Sequence, residues 1–300
     1  SAGSVVRAAP RPPVYPFLYG LVLSHFRSEW HEGNGVQGTL RFLAMKLPEI
    51  AYYAYVHERP FLHRVDAVLA TYDQLAPALE KRCRQVFVSY NGVDVHRFAP
   101  DQERRNQVRR QLRIGEDEIV ILLAGVMSRQ KGMHLGIEAF GQLADRFQAL
   151  RLLVVGRGPD EEFLHALGAG SPHGARINFV GGIPHHEMPR YLNAADIFVH
   201  PSLRIEGLPT VVAEAMATGV PVIATDSGGT ETAIVDGRTG ILVPKGNIER
   251  LTAAIETLVT DSSLAARLAA AGRARARERF GWSEIVDRLL ADLASVGSSR

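Results

Sequence analysis

Ile197-Phe198-Val199-His200-Pro201-Ser202-Leu203-Arg204-Ile205-Glu206-Gly207-Leu208-Pro209-Thr210-Val211-Val212-Ala213-Glu214-Ala215-Met216-Ala217-Thr218-Gly219-Val220-Pro221 is the stretch that decides the fold. Residues 197–199 are continuously apolar and read as a buried strand. Gly207 and Pro209 mark a turn. The alanine-rich run from Thr210 to Ala217 reads as a helix that stops near Gly219, with Pro221 just beyond. The unit is strand, loop, helix, and it places Glu206 on the loop and Glu214 about one turn into the helix. A helix start offers unpaired N–H groups and the positive end of a dipole, a ready anion site. A carboxylate in the same turn suits hydroxyl groups instead. A ligand carrying both phosphates and hydroxyls, such as a nucleotide-sugar, satisfies both.

Outward from this unit the same alternation repeats. Apolar runs at 119–124, 152–155, 177–180, 222–224 and 241–243 read as strands. Helices are expected at 133–147, 159–167, 186–194, 230–235, 247–259, 262–278 and 283–293. Continuously apolar strands alternating with helices predict a parallel sheet covered on both faces, a doubly wound α/β domain whose ligands lie at the carboxyl ends of the strands. Residues 1–13 read as an irregular lead-in and 21–23 as a strand end. An aromatic-rich helical stretch follows at 39–63. Beyond it come strands at 65–70 and 85–89, with a helix at 74–82 between them. Two domains are expected, 1–95 and 96–300, with the last helix able to return to the first domain.

Composition narrows the function classes. The chain has 300 residues, 46% hydrophobic and 22% charged, with a formal charge of +2. That balance is ordinary for a soluble protein and gives no field for nucleic acid. The arginine-rich segment 101–113 reads as a solvated linker helix. One cysteine, Cys83, excludes an intrachain disulfide and fits a reducing, cytoplasmic location. No apolar run reaches the roughly 18 residues of a membrane span. Prolines and arginines occupy the start where a secretory signal has an apolar core, so no signal peptide is expected. The apolar 14–23 and the basic Arg273-Ala274-Arg275-Ala276-Arg277 keep peripheral membrane contact open. A core strand and a solvated helix are the plainer readings of both.

Other loops carry weaker signals. Gly125-Val126-Met127-Ser128-Arg129-Gln130-Lys131-Gly132 follows the strand at 119–124 and brings two cations to a helix start, which suits a diphosphate. Taken alone it also reads as a solvated loop. Val155-Gly156-Arg157-Gly158-Pro159 and Phe179-Val180-Gly181-Gly182-Ile183 are tight turns, the second open enough for a flat base to meet the backbone. In Thr225-Asp226-Ser227-Gly228-Gly229-Thr230-Glu231-Thr232, helix capping explains the loop without function. The neighbouring His185 and His186 do not converge on one metal. No zinc spacing, metal–diphosphate acidic element or hydrolase elbow is present, so no metal and no cofactor are expected.

With these residues on the page, the segment from Gly125 to about Trp282 resembles the family-4 retaining glycosyltransferases of the GT-B fold. The likeness rests on Gly125…Lys131-Gly132, the 155–159 and 180–181 turns, and 195–202. It continues through Glu206-Gly207…Glu214-Ala215-Met216-Ala217-Thr218-Gly219-Val220-Pro221, Gly228-Gly229-Thr230-Glu231 and 240–243. Asn91-Gly92-Val93-Asp94 resembles the family's entry into the nucleotide domain. The resemblance covers about two-thirds of the chain. It implies a complete doubly wound nucleotide-binding domain behind a shortened α/β acceptor-side domain. It also implies transfer of a sugar, with retention and without a metal, from a nucleotide-diphosphate sugar to an unassigned saccharide, lipid or small-molecule acceptor. By the same resemblance Glu206 binds the sugar hydroxyls, Lys131 neutralises the leaving phosphates and Glu214 accepts from the ribose. Ile183 meets the base, and Gly125, Gly207, Leu208, Pro209 and Thr210 complete the donor site. Two departures stand out. Val126 occupies a position where the family often has arginine, with Arg129 as the substitute cation. The first part of the acceptor-side domain is missing, and only the segment around His25 resembles the loop that brings a histidine to the sugar. An incomplete first domain makes a nucleotide-sugar-binding module with little transfer the alternative reading.

Overall fold

The computed structural model describes residues 67–298. The expectations for 1–13, 21–23 and 39–63, and that for His25, fall outside the described residues. The main sheet has six parallel strands: β3 (Ile119–Ala124), β4 (Leu150–Val155), β5 (Ile177–Gly181), β6 (Ile197–His200), β7 (Val222–Thr225) and β8 (Ile241–Val243). They lie in the order β5-β4-β3-β6-β7-β8. The chain thus winds outward from β3 to one edge, returns, and winds to the other from β6. This is the doubly wound order, with its reversal between β3 and β6.

The sequence explains why the sheet is two-sided. Side chains along a strand alternate between faces. In β3, Val120, Leu122 and Ala124 join one buried cluster, and Ile121 and Leu123 join the other. Helices cover both faces. Here α3 (Met133–Ala144), α4 (Glu161–Ala169) and α8 (Ile248–Thr260) bury Ile137, Phe140, Leu164 and Ile255 on one side. On the other, α2 (Gln102–Gln111), α5 (Met188–Ala194), α6 (Thr210–Thr218), the short α7 (Thr230–Ala233) and α9 (Ser262–Phe280) bury Val108, Leu192, Met216, Ala233 and Phe280. Each such side chain contributes about 1.5–3 kcal/mol relative to exposure. The central strands therefore have to be apolar on both faces, and they are.

Local signals set the ends of these elements. Asp101 caps α2 by accepting the Arg104 N–H at 3.0 Å, and Asn247 caps α8 from the Arg250 N–H at 2.8 Å. Gly219, at φ +79°, ends α6 with its N–H on Ala215 and Met216 carbonyls. The arginine-rich helix α2 is less solvated than its composition predicts. Arg105 and Arg109 pair with Asp196 at 2.7 and 3.2 Å and fix the start of β6.

Ahead of this domain, β1 (Val68–Ala70) and β2 (Val86–Val88) form a parallel pair around α1 (Ala76–Glu80). Their small cluster of Val68, Ala70, Leu75, Ala76 and Leu79 is tied to the larger domain by polar contacts. The Asp73 N–H donates to Thr232 Oγ1 at 3.2 Å, and the Tyr90 hydroxyl donates to Asp73 Oδ1 at 2.6 Å. After α9 the chain breaks at Gly281 and continues as α10 (Trp282–Ser298).

Candidate functional site

At the reversal, the carboxyl ends of β3 and β6 diverge and two loops rise from them. The first, residues 125–132, closes in a 3₁₀ turn, Arg129–Lys131. Its last residue, Gly132, has φ +66°, and a Cβ there would lie 1.9 Å from the Pro201 carbonyl oxygen. Only glycine brings the loops this close. The second loop, residues 201–209, is stitched to the first by the Leu203 and Arg204 N–H groups. Both donate to the Gln130 carbonyl, at 2.8 and 3.1 Å. A third loop holds Glu206 from behind. The Glu206 N–H donates to Ser227 O at 2.9 Å, and the Gly229 N–H donates to Glu206 O at 2.8 Å. The Glu206 backbone is thus fixed, and its side chain enters a cleft of about 190 Å³ lined by Gly125, Val126, Lys131, His200, Pro209 and Thr210 among others.

Inside the cleft, Lys131 Nζ donates to Glu206 Oε2 at 2.7 Å, with the two side chains 25% and 11% exposed. The Ser202 hydroxyl donates to the other oxygen, Oε1. His200 Nε2 lies 3.6 Å from Oε1, beyond hydrogen-bond length but close enough for charge to act. Burial pushes the Glu206 carboxyl up, yet His200 and the Lys131 ammonium outweigh it and hold the group well below the usual carboxylate range. The cleft floor is the start of α6. Pro209 is its N-cap and provides no side-chain cap; the Val212 N–H turns back to the Pro209 carbonyl at 3.0 Å, and the Thr210 and Val211 N–H groups face outward with the dipole behind them.

One turn further along α6 lies Glu214, whose side chain is 4% exposed. Burial raises its pKa, and the hydrogen bond to His185 offsets this in part. His185 Nε2 sits 2.7 Å from Glu214 Oε1 and is itself 66% exposed. It stands on the turn after β5, two residues past Ile183, which packs partly buried against the core.

The structure therefore gathers Glu206, Lys131, Gly125, Pro209 and Thr210 around one cleft. Glu214 and the Ile183 loop meet beside it. Gly207 backs onto the β1–β2 unit near Thr71 and Tyr72, and Leu208 is buried in the core. Arg129 points elsewhere. Its guanidinium lies 3.8 Å from the Phe163 ring centroid, its N–H donates to Asp160 Oδ2 at 2.7 Å, and it does not line the cleft. Among the described residues, no three His, Cys, Asp or Glu side chains are grouped to hold a metal ion. No described helix is long and apolar enough to cross a membrane. Sequence reading missed three residues: His200 and Ser202, which touch Glu206, and His185, which was weighed only as a metal ligand. A polar residue ending an apolar strand is the signal that would have found His200.

Fold and site together define a doubly wound domain with a cleft at its strand reversal that holds a buried carboxylate, a lysine and a helix start. The family described as Glycosyl transferases group 1 matches residues 104–275, and the chain belongs to that family. It is 35% identical, over 64% of its length and 51% of theirs, to a GDP-mannose-dependent alpha-(1-6)-phosphatidylinositol monomannoside mannosyltransferase of Mycolicibacterium smegmatis. It is 37% identical to D-inositol 3-phosphate glycosyltransferase 1 of Catenulispora acidiphila, over 73% of this chain and 54% of that protein. The chain spans about half the length of these curated relatives. Among solved structures it is similar to Anabaena HepE in complex with UDP. That match has a TM-score of 0.71 and 25% identity, and covers 77% of this chain and 64% of that one.

Proposed function

We propose that this chain carries the donor site of a glycosyltransferase that moves a sugar from a nucleotide-diphosphate sugar to a hydroxyl acceptor with retention. The observation that carries this reading is the Lys131–Glu206 pair at the open start of α6. The diphosphate lies on the α6 N–H groups beside Lys131, which offsets the charge that develops as the leaving group departs. Glu206 stays ionised and accepts from sugar hydroxyls. Both its oxygens are already engaged, by Ser202 and Lys131, which suits a positioning carboxylate better than a nucleophile. Retention then follows from attack on the same face: the acceptor oxygen bonds to the anomeric carbon as the bond to phosphate breaks, and the departing phosphate oxygen takes the acceptor's proton. Glu214 accepts from the ribose, with the base over the Ile183 backbone. His25 is proposed at the sugar, Arg129 is held over Phe163 away from the cleft and takes no part, and no metal is required. The two curated relatives named above bear inositol-containing acceptors in their names, which supports a polyol or inositol-lipid acceptor at a membrane surface facing the cytoplasm.

The test is a thermal-shift and calorimetric panel of UDP, GDP and ADP with their sugars. A ligand at a hundred times its dissociation constant stabilises by about 2.7 kcal/mol. Glu206→Ala is expected to keep the fold and diphosphate binding but to lose transfer. A protein that binds none of the three diphosphates rejects the reading. The half-length match to relatives favours one second reading, a nucleotide-sugar-binding module. Binding without transfer to inositol phosphate or an inositol lipid is its signature.

A further inference from the structure

His200 presents an anomaly inside the donor cleft. Its side chain is 5% exposed, and its Nε2 is buried without a hydrogen-bond partner among the described residues. The nearest acceptor is Glu206 Oε1, at 3.6 Å. A buried ring nitrogen left unpaired is destabilising, and native structures retain such groups mainly where function uses them. A carboxylate oxygen only accepts, so the nitrogen that faces it suits the N–H tautomer. The other groups on Glu206 divide by oxygen. Ser202 donates to Oε1 on the same side as His200, whereas Lys131 alone donates to Oε2. The Ser202 carbonyl is in turn held by the Thr225 hydroxyl at 2.5 Å. One edge of the carboxylate is therefore fixed from the β6 and β7 ends, and the other depends on a single, partly exposed lysine chain.

This asymmetry bears on ligand binding, given the function proposed above. Lys131 has three N–H donors, but a doubly charged diphosphate competes with Glu206 for the same ammonium. When phosphate draws the lysine away, Oε2 loses its partner and the buried carboxylate needs another donor. We propose that His200 is a positioning residue: with Ser202 it clamps the Oε1 edge of Glu206, so that Oε2 passes from Lys131 to a hydroxyl of the transferred sugar. The shortfall in the His200–Oε1 distance closes in that exchange. His200 acts through Glu206, the carboxylate assigned above to the sugar, so its effect is expected on the sugar and not on the diphosphate.

The experiment is calorimetry on the 300-residue chain with GDP and GDP-mannose, and with UDP and UDP-glucose, using the pair that binds the wild type. His200→Phe fills the space but has no donor. It is expected to weaken the nucleotide-sugar about tenfold, the scale of a lost hydrogen bond to a charged group, and to leave the matching diphosphate unchanged within about twofold. His200→Gln carries an amide nitrogen close to the Nε2 position and is expected to restore most of the loss. Should His200→Phe fail to fold, His200→Asn, too short to reach Oε1, has the same expected outcome. An equal loss on both ligands, no loss on either, or a Gln variant no better than Phe overturns the inference and leaves the functional reading intact. If the wild type binds neither pair, ADP and ADP-glucose are used in the same way; a wild type that binds none of the three overturns the functional reading, and this inference with it.

Discussion

Two glutamates eight positions apart, Glu206 and Glu214, are both buried and both face a histidine, yet their environments push them in opposite directions. Glu206 is held far below the usual carboxylate range, and Glu214 is raised. Burial raises both. What differs is the company. Glu206 has Lys131 and Ser202 directly on its oxygens, with His200 enclosed alongside. Glu214 has His185, a partner that is two-thirds exposed and whose influence water screens. Carboxyls pushed apart in this way take different tasks. The shift favours the Glu206 anion, which is what the proposed contact with a sugar beside a departing diphosphate requires. Glu214 is a hydrogen-bonding group whose present partner is easily displaced, suited to a ribose that comes and goes.

The contrast is sharpest at Lys131. Lys131→Met leaves Glu206 buried with Ser202 as its only close donor. It is expected to cost about 3 kcal/mol, the lower end for breaking a buried pair because the lysine is partly exposed. Nucleoside-diphosphate affinity should fall by about 1–3 kcal/mol as well. Urea denaturation and calorimetry check both. An unchanged midpoint would mean that the Lys131–Glu206 pair is not what separates the two carboxylates.

A pair of glutamine variants tests the opposite shifts directly. Because the Glu206 pKa in the folded protein lies below its ordinary value of 4.5, its ionisation stabilises the fold above that value, and the gain is lost as pH falls through the folded pKa. Glu206→Gln is therefore expected to cost about 2 kcal/mol at pH 7 and progressively less below pH 4.5. For Glu214 the sign reverses. Its folded pKa lies above 4.5, so stability falls as pH rises from 4.5 through the raised value, and the cost is fully present above it. Glu214→Gln should gain stability at pH 7, by ~1 kcal/mol or less, the scale of one hydrogen bond, and gain nothing at pH 4. Melting curves across pH 3–8 would expose two variants that respond alike, which breaks the comparison.

The smallest effect belongs to His185. Removing a two-thirds exposed partner in His185→Ala should change stability by under ~1 kcal/mol. Because His185 occupies the Glu214 oxygen proposed to accept from the ribose, diphosphate affinity should hold or rise. A marked loss would make His185 a ligand contact rather than a displaceable cover.

Much of this was legible beforehand. The strand–loop–helix unit at 197–219 and its neighbours appear within a few residues of their expected bounds, because a strand buried on both faces must be apolar throughout and a helix needs its stop. Glu206 and Lys131 were found one by one from loop chemistry, and they meet. Arg129 shows the limit. On paper it is a second cation on the same loop, but a 3₁₀ turn separates it from Lys131 and sends it over Phe163 instead. The helix α2 arginines show it again, since their partner Asp196 lies some ninety residues away.

By itself, the sequence determined the alternation of strand and helix and the loops in which Lys131 and Glu206 stand. All of these follow from local periodicity and turn residues. The tertiary structure alone decided which side chains share the cleft, that Lys131 rests on Glu206, that His200 is buried unpaired beside it, and that the two glutamates titrate in opposite directions. Those outcomes depend on burial and on charges brought together across loops 75 residues apart, as Lys131 and Glu206 are, and no local pattern encodes such distances.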